Sequence, residues 1–190
     1  MTQIRPTFYY DFVDPLSRLM AGEFALLRNG GADMVEWMPF ELRPPPTPLT
    51  SQDDPELAAR WLRAGSEDDQ ERAFSPPPLV PWTRKAHELV LHAAESGRET
   101  PVRELIFEAY LFEVRDIGRV DVLVDLARVA GLDTSEAKAV LDVDRFEARV
   151  AELRMEASGV GITTTPTLRV GDRLLQGFHN ASGIRTFLGT

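Results

Sequence analysis

The side chains best placed for chemistry sit together early in the chain, in Asp14-Pro15-Leu16-Ser17. They follow the apolar run Tyr9-Tyr10-Asp11-Phe12-Val13, so a strand hands its C-terminal end to the start of a helix here. The unpaired amides of that first helical turn form a partly positive pole, which holds anions and favours ionised acids. Asp14 reads as the N-cap, and Pro15 suits the first helical position, where its missing N–H costs nothing. The functional reading of Asp14 is a general base or a substrate-orienting acid. A carboxylate held by amides and a helix end is expected to have a lowered pKa, which makes it a weak base near neutrality. Ser17 is a nucleophile only with a base within hydrogen-bond reach; otherwise it is a first-turn hydroxyl bonded to nearby backbone.

The rest of the composition narrows the chemistry further. The 190 residues include no cysteine, which excludes disulfides, thiolate catalysis and cysteine metal sites. The three histidines, His87, His92 and His179, are scattered and form no metal-ligand pattern. His87 and His92 read as solvated residues of a helix, and His179 as a turn residue. A net charge of −9 argues against nucleic acid or an anionic membrane surface as partner. No apolar run is long enough to span a bilayer, and no charged-then-apolar leader opens the sequence, so the cytoplasm is the expected location.

The elements that must position Asp14 and Ser17 are legible in order. Thr7 to Val13 predicts a strand. Pro15 to Arg28 predicts a helix that stops at Asn29-Gly30-Gly31. Asp33 to Phe40 alternates as a second strand, so the three make a βαβ unit with parallel strands. Four prolines in Arg43 to Pro48 predict a stiff, extended exit. Helices are then expected at Pro55–Ala64, Ser66–Phe74, Trp82–Ala94, from Thr100 through Val114, at Val120–Ala130, Thr134–Leu141 and Asp144–Ser158. A second proline run, Ser75 to Pro81, interrupts that series. Thr163 to Gly177 predicts two short strands around a Gly171-Asp172 turn, and Asn180 caps a last helix, Ala181–Leu188. A helical block between two parts of one sheet reads as an insertion, because the outer parts need each other's strands to bury their faces.

With Asp14-Pro15-Leu16-Ser17 at the head of the first helix and Thr165-Pro166-Thr167 before the hairpin, the chain resembles the DsbA family of the thioredoxin superfamily. Within it the likeness is strongest to FrnE-like proteins, with 2-hydroxychromene-2-carboxylate isomerases and kappa-class glutathione transferases as neighbours. Tyr10 to Pro15, Pro39-Phe40-Glu41-Leu42-Arg43-Pro44, Phe107 to Phe112 with Ala130-Gly131-Leu132-Asp133, and Gly159 to Leu168 carry the similarity, which covers nearly the whole chain.

The resemblance implies an α/β thioredoxin-like fold with a large all-helical insertion. Residues 1–50 and 160–190 would form the discontinuous thioredoxin-like domain, and 51–159 the insert. It implies a disulfide-exchange or glutathione-dependent activity, yet cysteine is absent at both Asp14 and Ser17. The isomerases and transferases place their catalytic serine where this chain has Asp14, and that fixed charge would repel a thiolate there. The candidate catalytic residues are Asp14 and Ser17, standing in place of the cysteine pair. The candidate substrate-binding residues are Thr165 and Pro166, with Pro166 expected as the family's cis-proline. The Thr165 backbone is then expected to be free to pair with an extended peptide or with the cysteinyl part of glutathione. No metal or resident cofactor is expected, glutathione being the one cofactor the likeness admits. The expected partner is a peptide or small molecule, with a homodimer a further option. Trp37, Trp61, Trp82, Tyr110 and Phe112 read as core.

Overall fold

In the computed structural model, residues 5–27, 35–51, 54–67 and 78–189 are described. Four strands form the main sheet: β1 (Thr7–Tyr10), β2 (Glu36–Pro39), β5 (Thr167–Val170) and β6 (Arg173–Gln176), in the order β2-β1-β5-β6. β1 and β2 run parallel, with Thr7 opposite Glu36 and Tyr10 opposite Pro39. β5 lies antiparallel to β1 and to β6. The N-terminal pair β2-β1 and the C-terminal pair β5-β6 thus lie side by side in one sheet, joined where β1 pairs with β5.

The parallel pair is joined across α1 (Pro15–Ala25), as the alternation of apolar and helical patterns predicts. The predicted stop at Asn29-Gly30-Gly31 and the first residues of the predicted second strand, Asp33 and Met34, lie outside the described residues. Gly171, at φ 59, makes the tight β5–β6 turn, a conformation that suits a residue without Cβ. α8 (Ala181–Leu188) opens on Asn180, whose side chain accepts from the Gly183 amide.

Between β2 and β5 come α2 (Pro55–Glu67), α3 (Arg84–Ala94), α4 (Glu99–Leu111), α5 (Val120–Val129), α6 (Thr134–Asp142) and α7 (Glu147–Gly159). α2 is one helix that continues past Ser66. The rest of the separate Ser66–Phe74 helix expected from sequence lies outside the described residues. α7 starts three residues later than Asp144, which sits at φ 54 and accepts Lys85 on its carboxylate. The proline run is not a simple extended exit: Thr47 N–H closes a turn onto the Pro44 carbonyl, and the Pro45–Pro46 peptide is cis. A pair of two-residue strands, β3 (Thr50–Ser51) and β4 (Leu79–Val80), was not foreseen.

Strand alternation decides what each face of β1 meets. Phe8 and Tyr10 enter a large apolar cluster with Phe24 of α1 and Phe107 of α4, while Tyr9 faces a smaller one with Phe40, Ala157 and Ile162. Phe12 continues the first set and packs 4.9 Å from the Phe107 ring. Removing either buried ring would cost about 3–5 kcal/mol. One apolar cluster therefore runs from the sheet into the helical block, and it brings α3 and α4 against the C-terminal end of β1.

Candidate functional site

Asp14 is the N-cap of α1, as the sequence predicts, and it is fully buried. Its Oδ1 accepts the Leu16 amide at 3.3 Å, and its Oδ2 accepts the Ser17 hydroxyl at 2.8 Å. The Thr165 hydroxyl donates to the same Oδ2, also at 2.8 Å, across 151 residues of sequence. The structure therefore brings three of the four predicted site residues into direct contact, with Pro166 next in the chain. The Thr165–Pro166 peptide is cis.

The fourth partner of Asp14 was missed. Arg60 of α2 places its guanidinium 3.3 Å from Oδ1 and donates at 2.8 Å to the Thr165 carbonyl and at 2.7 Å to the Thr164 hydroxyl. A signal was present. Leu57, Arg60, Trp61 and Ala64 follow helical spacing, with Leu57 and Ala64 buried, so Arg60 lies on the inward stripe of α2. An arginine in such a stripe needs a buried partner. Nothing in the sequence names Asp14 as that partner.

Two expectations are corrected here. The Thr165 carbonyl is not free for strand addition, because Arg60 already occupies it. The Asp14 carboxyl is pushed above its ordinary value, not below it. Burial dominates, with Asp11 adding to it, and Arg60, Ser17 and Thr165 oppose it without overcoming it. The helix pole acts on Asp14, but the loss of water around the carboxylate is the larger effect.

Ser17 is fully buried. Its hydroxyl donates to Asp14 and accepts weakly from the Asp11 amide at 3.4 Å. An acid within reach of the hydroxyl is thus present, although no histidine is. Ser17 donates to a side chain rather than to the backbone group expected for a first-turn residue.

Around this cluster lies an open cleft of about 310 Å³ between α2 and the Thr164-Thr165 segment. Leu16, Glu56, Ala59, Arg60 and Arg63 are in its wall. Asp14 and Ser17 do not line it; Arg60 stands between them and the cleft.

A second polar group sits behind the turn. Asp11, buried at the end of β1, accepts the Phe12 amide at 2.7 Å and the Leu42 amide at 2.8 Å, and meets His87 Nε2 at 3.2 Å. It therefore joins the β1 end, the β2 exit and α3. His87 and His92 are buried, 0% and 5% exposed, which overturns their reading as solvated residues. His87 packs between the rings of Tyr10 and Phe12, on the helix face that closes over the sheet end. Glu41 is buried too. Its Oε2 accepts from Arg84 Nε at 3.3 Å, and burial pushes its carboxyl up against the pull of His87 and Arg84. His179 remains a partly exposed turn residue near the Gln176 carbonyl. Of the aromatic residues expected in the core, Tyr110 is buried, but Trp82 is 39% exposed and donates to the Thr47 carbonyl at 2.8 Å.

Comparison with known proteins agrees with this arrangement. The sequence model of the DSBA-like thioredoxin domain matches residues 7–189, and the chain belongs to that family. It is 30% identical over 175 residues to the uncharacterized protein YwbO of Bacillus subtilis, covering 89% of this chain and 88% of that one. Its fold is similar to a probable DsbA oxidoreductase from Streptomyces coelicolor, with a TM-score of 0.78 and 21% identity over 98% of this chain and 88% of that chain. It is also similar to a 2-hydroxychromene-2-carboxylate isomerase, with a TM-score of 0.69 and 18% identity over 96% of this chain and 91% of that chain. The thioredoxin-like α/β fold expected from Asp14-Pro15-Leu16-Ser17 and Thr165-Pro166 is thus shown, and so is the family. Among the described residues, no helix is long and apolar enough to cross a membrane.

Proposed function

We propose that this protein is a redox-inactive member of the DSBA-like family. It binds an extended peptide or a small thiol-containing compound in the cleft beside Thr165–Pro166 and exchanges no disulfide. The observation that carries this reading is the buried Asp14 carboxylate in the active-site turn, held by Leu16, Ser17, Thr165 and Arg60. Dithiol exchange needs an attacking thiolate and a sulfur leaving group, and the chain holds no cysteine to supply either. The helical segment between the two sheet-forming parts supports an FrnE-like placement within the family.

Arg60 and Arg63 give the cleft two cations, suited to the carboxylate of a peptide terminus or of glutathione. A ligand carboxylate that draws Arg60 away from the Thr165 carbonyl would open that strand edge to backbone pairing. Calorimetry with glutathione, and with peptides carrying a free or an amidated C-terminus, tests the reading. Saturable heat that falls with Arg63→Ala and with amidation is expected, together with no catalysis of insulin reduction. Absence of heat for every ligand overturns it. A second reading, a glutathione-dependent isomerase, is favoured by the Ser17–Asp14 hydrogen bond, which pairs a hydroxyl with an acid of raised pKa. Glutathione-dependent turnover of a cis–trans isomerisable substrate, lost in Ser17→Ala, would select it.

A further inference from the structure

A cluster of unmet polar atoms lies away from the Asp14 turn, where α3 and α4 meet the β1–β2 edge. A cavity of about 340 Å³ opens there, with Tyr10, Trp37, His87, Glu99 and Arg103 in its wall. Arg103 is 2% exposed, yet its one hydrogen bond to a non-aromatic group goes to the Thr100 hydroxyl at 3.2 Å, and its Nε has no partner. The guanidinium lies 3.8 Å from the centroid of the Trp37 ring and beside Tyr10. Its counterpart at the Asp14 turn, Arg60, holds a buried carboxylate, and Arg103 holds none. A buried cation without an anion is costly, and its planar fork matches a carboxylate at two points.

Two further polar atoms in the same wall are also unmet. Glu99 stands one helical turn before Arg103, and its Oε2 is buried without a partner. His87 turns Nε2 to the Asp11 carboxylate, and its Nδ1 too has no partner. One buried cation, one buried carboxylate oxygen, one unpartnered ring nitrogen and an apolar wall that includes Val90 and Leu91 occur together.

From this juxtaposition we infer that the cavity is a binding site for a small zwitterionic carboxylate of amino-acid size. The ligand carboxylate meets Arg103, its ammonium meets Glu99, and its apolar side chain lies along Trp37 and the α3 wall. A simple inorganic anion fits less well, because the Glu99 carboxylate that draws an ammonium repels it. The site is separate from the cleft at Thr165, so the inference does not rest on the proposed function.

Calorimetry of the full chain with four probes tests it: L-phenylalanine, phenylacetate, phenethylamine and inorganic phosphate. L-phenylalanine is expected to bind saturably. Phenylacetate and phenethylamine, each lacking one charge, should bind roughly ten- to a hundredfold more weakly, and phosphate should give no heat. Arg103→Met should abolish binding of L-phenylalanine. Glu99→Gln, which keeps the shape of that side chain, should narrow its preference over phenylacetate. Heat from phosphate equal to that from L-phenylalanine overturns the inference, as does absence of heat with all four probes. Unchanged binding in the Arg103→Met protein, or an unchanged preference in the Glu99→Gln protein, does the same.

Discussion

Two inward-facing arginines of the helical segment meet opposite fates. Arg60 closes over the α1 mouth, where Asp14, Ser17 and Thr165 leave it a carboxylate, a carbonyl and a hydroxyl to bind. Arg103 reaches the Tyr10 and Trp37 rings of the β1–β2 pair and finds those two rings and a hydroxyl. Both are largely withdrawn from water, so the difference lies in partners and not in exposure. The mouth is a satisfied polar lock. The interface behind it keeps donors and acceptors unmet. A polar group that is buried and paired adds specificity to the fold; one that is buried and unpaired is either a strain on it or a place for a ligand.

The largest change expected is a gain of chemistry at the mouth. Asp14→Cys combined with Ser17→Cys puts sulfur under the α1 pole beside Arg60, both of which lower a thiol pKa. The pair should exchange with a small aromatic disulfide when dithiothreitol is supplied, against no exchange in the parent chain. An inert pair would mean that the turn no longer has the family's geometry.

Next comes the contrast of the two arginines in stability. Arg60→Met leaves Asp14 buried without a cation and should cost about 3–5 kcal/mol in urea unfolding. Arg103→Met removes an unpaired charge while losing its stacking on Trp37, and should cost about 1 kcal/mol or less. Equal losses would erase the distinction between lock and cavity.

Asp11→Asn should cost about 1–3 kcal/mol, because one acceptor oxygen becomes an NH2 group and one of its two amide partners or His87 loses its acceptor. It tests whether the junction of β1, the β2 exit and α3 depends on that single carboxylate.

A pH series sharpens the picture of the mouth. The folded-state pKa of Asp14 lies above its unfolded value of 3.8, so the folded protein holds that proton more firmly. The associated stability is complete below 3.8 and is lost as pH rises through the folded value. The Asp14→Asn protein carries no such titration. Its urea midpoint, relative to the parent, should therefore rise from acid toward neutral pH. A constant difference would show that Asp14 titrates alike in both states. The smallest effect is expected far from both regions. Trp82→Phe removes one exposed hydrogen bond to the Thr47 carbonyl and should change stability by about 1 kcal/mol or less.

Much of the fold was legible because it rests on local rules. The apolar run of Thr7 to Val13, the cap and proline at Asp14-Pro15, the Gly171-Asp172 turn and the Asn180 cap each act within a few residues. Each appears where the sequence places it, although β1 itself stops at Tyr10. The errors fall where the outcome depends on distant partners. His87 and His92 look solvated by residue type, but α3 is packed against neighbours all round, and His87 is held by Asp11, 76 residues away.

By itself, then, the sequence determined the order of elements, the absence of cysteine and the identity of the residues at the mouth, all of which are local or compositional. Only the tertiary structure decided that Arg60 covers that mouth, that Thr165 hands its carbonyl to Arg60, and that the Asp14 carboxyl is raised and not lowered. The helix pole could be read from residue types next to Asp14. The loss of water that outweighs it is set by residues more than forty and more than a hundred and fifty positions away, which no local pattern around Asp14 encodes.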